Sequence, residues 1–187
     1  AAGMSKRMGN ENKLLKKINN NTILNQTLKN HIESKINKIN LILGYQKNII
    51  LKQINQNKIF IIENNNFQSG MLSSILKINE NISDETSGIL ISLADMPFVT
   101  SDDINKLIKI FNENDQKIIC IPENKGKLGN PLLLPKEIYK DLIRDTSKLS
   151  NDEGLKKLIL NKKYNYIRVN LSEGVKKDFD TNEDFNL

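Results

Sequence analysis

The chain has 187 residues and a formal net charge of +6 at neutral pH, and a chain of this length is expected to form a single domain with one sizeable core. None of its apolar runs approaches the ~18 residues that a transmembrane helix requires, which excludes a membrane-spanning protein of the helical class. The lysines are scattered and the aromatic residues, at 5 %, do not alternate with them, which disfavours a nucleic-acid partner.

The opening segment combines small residues with two strong cations. The run Ala-Ala-Gly-Met-Ser-Lys-Arg-Met-Gly over residues 1–9 is followed by Lys13. Glycine and alanine let backbone N–H groups approach phosphate oxygens, while Arg7 and Lys13 can neutralise the charge of a triphosphate. The run matches neither G-x-x-x-x-G-K-[ST] nor G-x-G-x-x-G, so a flexible, tag-like terminus is an equal alternative.

The same segment bears on location. It lacks the charged stretch followed by an apolar one that is typical of a secretory leader, so a soluble, cytoplasmic protein without membrane contact is expected. The single cysteine, Cys120, lies in an apolar run, which is typical of a buried structural thiol rather than a catalytic one.

Short Ile-rich runs alternate with helical patterns along the rest of the chain. Strands are predicted at residues 40–43, 58–62, 88–94, 117–121 and 166–169. Helices are predicted at residues 22–32, 47–54, 71–78, 100–112 and 152–160, and from Pro135 onward. Thr100 and Asp103 can form a capping box at the start of the helix 100–112. This alternation predicts an α/β layered domain with a mainly parallel sheet, in which ligands bind at the carboxyl ends of the strands.

Two acidic positions are candidate metal ligands. Asp95 follows the apolar run 88–94 and precedes Met96 and Pro97. A carboxylate there suits Mg²⁺, which commonly takes one or two carboxylates plus phosphate oxygens, although a turn-forming Asp ahead of proline is the alternative. The cluster at residues 178–181 can complete such a site, or Asp180 can cap a terminal helix.

Together these segments resemble the MobA-like NTP transferases, which make the nucleotide forms of the molybdenum cofactor, and in particular their molybdopterin cytidylyltransferase branch. The resemblance extends over nearly the whole chain and is carried by residues 1–9 with Lys13, Asn64 with residues 70–74, and residues 93–97, 129–131 and 178–184. Asn130 stands where the family has His, and Asn182 where it has Pro. The family's loop follows a buried strand, which here either lies upstream of Ala1 or is absent.

The resemblance implies a Rossmann-like, three-layer nucleotidyltransferase fold with a mainly parallel central sheet, formed by one domain over residues 1–187. It implies catalytic roles for Lys13, Arg7 and Asp95, and a Mg²⁺ ion held by Asp95 and Asp180, with Asp178 as the alternative to Asp180. The nucleotide-binding residues that it implies are Ala1, Ala2, Gly3, Ser5, Arg7, Lys13, Asn64, Gly70, Ser73 and Ser74. The residues that it places toward the acceptor are Asn130, Asp152 and Gly154.

The implied reaction is attack of an acceptor phosphate on the α-phosphorus of a nucleoside triphosphate, with pyrophosphate as the leaving group. Ala2 favours CTP as the donor, because guanylyl-transferring relatives usually carry a second glycine there. The implied acceptor is molybdopterin, and a molybdenum enzyme is the implied client of the product.

Two other functions are compatible with the same residues. One is nucleotidyl transfer to another small phosphate, such as a sugar phosphate. The other is a catalytically silent accessory protein that hands cofactor to a molybdenum enzyme. The presence of Lys13, Arg7 and Asp95 argues against this second function.

Overall fold

The computed structural model describes residues 1–3, 12–18, 20–54, 58–144, 155–161, 164–180 and 184. Ser5, Arg7, Asp152 and Gly154 lie outside these ranges, and the roles expected for them stay predictions.

The helices lie where the apolar periodicity predicts them. Their bounds are α1 (Ile23–Ile32), α2 (Lys47–Leu51), α3 (Met71–Asn79), α4 (Ser101–Glu113), α5 (Lys136–Arg144) and α6 (Leu155–Asn161). The predicted capping box at the start of α4 is confirmed: the Thr100 hydroxyl accepts from the Asp103 amide, and the Asp103 carboxylate accepts from the Thr100 amide. Within the described part of the chain, none of the helices has the length and apolar character that crossing a bilayer requires.

Nine strands are present in the described residues, and the two longest strand pairings are parallel. Their bounds are β1 (Lys17–Ile18), β2 (Asn21–Thr22), β3 (Ile39–Leu43), β4 (Ile59–Glu63), β5 (Gly88–Ile91), β6 (Ile119–Asn124), β7 (Lys127–Leu128), β8 (Leu132–Pro135) and β9 (Tyr166–Asn170). β3 pairs with β4 in parallel, and β6 pairs with β9 in parallel. The predicted fold class, an α/β fold with a mainly parallel central sheet, is confirmed.

Four strands differ from expectation, because β1, β2, β7 and β8 are not predicted from the sequence, and β8 is the longest of them. No strand is predicted at residues 132–135, because three leucines ahead of Pro135 are too short a run to distinguish a strand from a helix start. In the structure β8 occupies these residues and lies antiparallel between β5 and β6. Pro135 ends β8, and α5 begins at Lys136.

Alternate residues of the central strands are buried on opposite faces of the sheet. Ile121 and Leu134, both 0 % exposed, belong to a core cluster formed with α3, α5 and α6. Their neighbours Cys120 and Leu133 belong to a second cluster formed with α4. Since helices cover both faces, the domain has three layers, and each fully buried aliphatic side chain stabilises it by roughly 1.5–3 kcal/mol.

Candidate active site

Lys13 lies between two carboxylates that come from distant parts of the chain. Its Nζ atom is 2.5 Å from Asp95 Oδ2 and 2.7 Å from Asp180 Oδ1. Lys13 begins a short 3-10 helix, Lys13–Leu15, which the Asn12 side chain caps by accepting a hydrogen bond from the Leu14 amide at 3.1 Å. Asp95 follows β5, and Asp180 follows the 3-10 helix Glu173–Lys176. The structure therefore brings together three residues that the sequence singles out separately.

The loop that carries Asp95 is held by polar side chains of α1. Thr27 Oγ1 donates to the Ala94 carbonyl at 3.1 Å. Asn30 Nδ2 donates to the carbonyls of Pro97 and Val99 at 2.9 and 2.7 Å. These bonds satisfy backbone acceptors that a buried loop would otherwise leave unpaired, so the Asp95 carboxylate is presented from a rigid support.

Backbone and ring contacts of its neighbour Phe179 hold Asp180 close to the loop that carries Asp95. The Phe179 amide donates to the Asp95 carbonyl at 3.2 Å, and the Phe179 ring packs against Phe98 with the ring centroids 5.6 Å apart. The Asp180 amide donates to Asp184 Oδ2 at 2.9 Å. Asp95 and Asp180 are thus positioned by a shared set of backbone and aromatic contacts.

The charges in this cluster influence one another. Burial opposes the charged form of Lys13, but the charges and hydrogen bonds of Asp95 and Asp180 outweigh it, and the pKa of Lys13 is raised. Burial raises the pKa of Asp178, and the negative charges of Asp180 and Asp95 raise it further, partly offset by Lys13. The charges of Asp95, Asp180 and Lys13 therefore all act on the Asp178 carboxyl group.

The carboxylates suit a hard cation. Asp95 Oδ1 is buried and accepts no hydrogen bond from any described residue, while Asp95 Oδ2 and Asp180 Oδ1 converge on one positive charge. Among the described residues, no three or more His, Cys, Asp or Glu side chains are grouped to hold a metal. Two carboxylates are enough for Mg²⁺ when phosphate oxygens and waters supply the other ligands, so the donor set fits that ion.

Asn64 organises a second polar group at the end of β4. Its Nδ2 atom donates to Ser73 Oγ at 2.9 Å and to Ser74 Oγ at 3.1 Å, and its Oδ1 atom accepts from the Asn66 amide at 3.0 Å. Asn64 is 1 % exposed, so its side chain is committed to these contacts, whereas the two serines are partly exposed. Gly70, which precedes α3 with φ of 84°, accepts from the Ser73 hydroxyl at 2.8 Å.

The first residues of the chain run beside the end of β3. The Tyr45 amide donates to the Ala2 carbonyl at 3.4 Å, and Ala2 is 5 % exposed. A Cβ atom built on Gly3 would meet no atom of the described residues within 4 Å. Ala1, Ala2 and Gly3 thus lie at the carboxyl end of β3, near Asn64, whose amide donates to the Leu43 carbonyl at 2.8 Å.

The chain has a detectable family relationship. A family model described as "MobA-like NTP transferase domain" matches residues 1–165. The chain belongs to this family. It is similar to the molybdenum cofactor cytidylyltransferase of Escherichia coli strain K12, at 27 % identity over 186 residues that cover 99 % of this chain and 90 % of that protein. The prediction of a nucleotidyltransferase enzyme is confirmed.

Solved structures share the fold. The structure of a homologue, from Mycobacterium sp. strain JC1, of the Mycobacterium tuberculosis protein Rv0371c superposes with a TM-score of 0.84 at 22 % identity, covering 99 % of this chain and 89 % of that one. The manganese complex of Rv0371c superposes with a TM-score of 0.73 at 19 % identity, covering 92 % and 88 %. A divalent metal is therefore present in a protein of the same fold.

The turn at residues 129–131 packs directly against the backbone at Val175. A Cβ atom on Gly129 would lie 2.2 Å from the Val175 carbonyl oxygen, and the Asn130 amide donates to that oxygen at 2.9 Å. Glycine is required here because another backbone segment passes against it. The turn thereby anchors the segment that leads to Asp178 and Asp180.

Asn130 also lines a cleft of about 360 Å³, together with Leu93, Lys156 and Lys157. Neither lysine is predicted as a site residue. Both lie on a predicted helix in a chain with 28 Lys and Arg residues, so nothing in the sequence distinguishes them.

Proposed function

We propose that this protein transfers CMP from CTP to the phosphate of a molybdopterin-type acceptor in a Mg²⁺-dependent reaction that releases pyrophosphate. The observation that carries the proposal is the convergence of Asp95 and Asp180 on Lys13, in a chain that belongs to the MobA-like NTP transferase family. The name of the Escherichia coli relative supports cytidylyl transfer and a molybdenum cofactor as acceptor.

Asp95 and Asp180 would hold Mg²⁺, with Asp178 as the alternative second ligand. Bound there, Mg²⁺ would neutralise charge on the triphosphate. Lys13, together with Arg7 from the opening loop, would bind phosphate oxygens, because a flexible ammonium and a guanidinium are both strong donors to anions. Ala1, Ala2, Gly3 and Ser5 would bring backbone N–H groups to the same phosphates.

The chemical step needs no covalent enzyme intermediate. An oxygen of the acceptor phosphate forms a bond to the α-phosphorus, the bond from that phosphorus to its bridging oxygen breaks, and pyrophosphate leaves with the electron pair. The protein contributes positioning and charge stabilisation, which are sufficient to accelerate such in-line transfers. Lys13 and the two carboxylates place a positive charge for the phosphates and negative charges for a metal ion next to each other.

Donor choice is assigned to the opening loop and the Asn64 group. We assign base contacts to Ser73 and Ser74, which are partly exposed, and a positioning role to Asn64, whose amide holds both hydroxyls. The methyl group of Ala2 would leave less space for the base than a glycine would, and a smaller space favours binding of a pyrimidine over a purine. Acceptor contacts are assigned to Asn130, Asp152 and Gly154, and a molybdenum enzyme is proposed as the client.

The test is to incubate the protein with Mg²⁺, molybdopterin and each of the four triphosphates, and to measure pyrophosphate release. We expect release to be fastest with CTP and to be lost when Asp95→Asn replaces the wild type. Faster release with GTP would move the protein to guanylyl transfer. Release that occurs only when a sugar phosphate replaces molybdopterin would overturn the acceptor, and tight CTP binding without release from any acceptor would indicate an accessory protein.

A further inference from the structure

The segment that leads to Asp180 passes against the loop of Asp95 at a glycine. A Cβ atom built on Gly174 would lie 2.0 Å from the Phe98 carbonyl oxygen, well under the 3.0 Å below which real Cβ atoms are essentially never found. Gly174 does not have the positive φ that favours glycine, so the lack of space is what requires glycine here. A side chain at this position would displace backbone, because the atom that it meets is a carbonyl oxygen and not the end of a flexible side chain.

The loop resists such a displacement, because α1 holds the residues on both sides of Phe98. Asn30 Nδ2 donates to the Pro97 carbonyl at 2.9 Å and to the Val99 carbonyl at 2.7 Å. The Asn30 amide is itself oriented by Gln26, whose Nε2 atom donates to Asn30 Oδ1 at 3.0 Å. The glycine contact therefore meets a stretch of backbone that is hydrogen-bonded on either side of it.

The same two segments are joined a second time, next to both carboxylates. The Phe179 amide donates to the Asp95 carbonyl at 3.2 Å, and the Phe179 ring packs against the Phe98 ring. Two attachments fix both the distance and the orientation of one segment relative to the other, whereas a single attachment would let the segment pivot. The contacts at Gly174 and Phe179 therefore jointly set the backbone positions from which Asp95 and Asp180 project.

Small displacements of these backbone positions matter for a metal ion. Mg²⁺ takes oxygen ligands at about 2.0–2.1 Å in near-ideal octahedral geometry, so two carboxylates bind it together only over a narrow range of separations. Replacing residues that orient the ligands of a metal typically lowers its affinity by about 10- to 100-fold. Contacts that hold the two carboxylate-bearing segments together thus influence metal binding through the ligands.

We propose that Gly174 and Asn30 are positioning residues that hold Asp95 and Asp180 at the separation that metal binding requires. Asn30 holds the loop of Asp95 from α1, and Gly174 lets the segment of Asp180 approach that loop at backbone distance. The inference rests on the proposed function, because it takes Asp95 and Asp180 as the metal ligands. It adds two residues outside the ligand set.

The test uses the full chain without nucleotide and measures two quantities other than turnover. The first is the affinity for Mn²⁺, from electron paramagnetic resonance of the free ion. The second is hydrogen exchange of the Phe179 amide, which bonds to the Asp95 carbonyl, relative to that of the Leu107 amide in α4, whose side chain is fully buried. An increase in this ratio reports local separation of the two segments rather than global unfolding.

The variants are Gly174→Ala and Asn30→Ala. Asn30→Ala keeps the glycine contact and carries the test if Gly174→Ala does not fold. Gly88→Ala is the matched control, because its Cβ atom would lie 2.6 Å from Phe111 Cε1 in the core, at the start of β5. It is the same substitution at a comparably close contact, placed away from the carboxylates.

Gly174→Ala should bind Mn²⁺ roughly 10- to 100-fold more weakly than the wild type, and Asn30→Ala should change the affinity in the same direction. In both variants the exchange rate of the Phe179 amide should rise relative to that of the Leu107 amide. Gly88→Ala should lower the stability against urea but keep the wild-type Mn²⁺ affinity and exchange ratio.

Three results would overturn the proposal: wild-type Mn²⁺ affinity in either variant that folds, an unchanged exchange ratio, or equal weakening of Mn²⁺ binding by Gly88→Ala. Failure of the proposed function is read separately, from Asp95→Asn. If that variant binds Mn²⁺ as tightly as the wild type, the metal assignment of the proposed function is wrong. The exchange ratio then still decides whether Gly174 and Asn30 hold the two segments together.

Discussion

Lys13 Nζ lies 2.5 Å from Asp95 Oδ2, and the two side chains are only 16 % and 15 % exposed. An ion pair with so little solvent is stabilising only while both partners are present, because removal of either leaves an uncompensated charge. The ammonium group of Lys13 therefore compensates the charge of the Asp95 carboxylate.

The first prediction concerns Asp95. Asp95→Asn should bind CTP but turn over at least ~100-fold more slowly, because removing a major electrostatic group from a reaction centre has an effect of this size. The measurement is pyrophosphate release at saturating CTP. Asp115→Asn, at an exposed position after α4, is the matched control and should keep wild-type turnover. Normal turnover of Asp95→Asn would show that Asp95 does not take part in the reaction.

A second prediction separates phosphate binding from base recognition at Lys13. Lys13→Met should weaken CTP, GTP, ATP and UTP by a similar factor, because an ammonium group contacts charge and not the base. Equilibrium dissociation constants for the four triphosphates are the measurement. A loss confined to one base would place Lys13 in the base pocket instead.

A third prediction follows from the cation that Lys13 itself supplies. Without nucleotide, Lys13→Met should bind Mn²⁺ more tightly than the wild type, because Asp95 and Asp180 are no longer paired with a competing positive charge. Electron paramagnetic resonance of free Mn²⁺ gives the affinity without turnover. Asp95→Asn should weaken Mn²⁺ binding in either background, and weaker binding by Lys13→Met alone would contradict the assignment of these carboxylates.

Asp103 provides a prediction on stability. Its carboxylate accepts from the Thr100 amide and hydroxyl, and also from the Ser172 amide at 2.9 Å and hydroxyl at 2.6 Å. Asp103→Ala should lower the free energy of unfolding by about 2–3 kcal/mol, since it removes a cap and leaves partly buried donors unpaired. Urea unfolding measures this, with Asp102→Ala in the same first turn as the control.

The pH dependence of that difference has a defined sign. Burial would raise the pKa of Asp103, but hydrogen bonds from Ser172 and Thr100 outweigh burial and lower it. A lowered folded-state pKa stabilises the protein above the unfolded-state value and loses this contribution as the pH falls through the folded-state value. The gap between wild type and Asp103→Ala should therefore narrow below about pH 4.

His31 should make the protein less stable in mild acid. It is 7 % exposed on α1, its Nδ1 atom lies 2.8 Å from the Thr27 carbonyl, and burial lowers its pKa. Below its ordinary pKa of about 6.5 the unfolded chain takes up a proton that the folded chain resists, so stability falls by up to ~1.4 kcal/mol per pH unit. His31→Gln should reduce the pH dependence of the unfolding free energy between pH 6.5 and the folded-state pKa of His31. An unchanged pH dependence would show that His31 does not cause the loss of stability in mild acid.

Local features of this protein were predictable because their parts are close in the chain. The capping box needs only Thr100 and Asp103, and it forms as expected. The periodicity that places α1, α3 and α4 also acts over a few residues. Asp95 at the end of an apolar run, and Lys13 after a run of small residues, could be recognised as candidate groups for the same reason.

Only the tertiary structure decided which of these groups meet. Lys13 and Asp95 are 82 residues apart and Lys13 and Asp180 are 167 apart, so their contact depends on how strands and loops assemble. The second pair of hydrogen bonds to Asp103, the commitment of Asn64 to Ser73 and Ser74, and the lysine-lined cleft are likewise contacts across the fold. Residue type and local spacing determine what a side chain can do, whereas its partners are set by packing between segments that no local pattern relates.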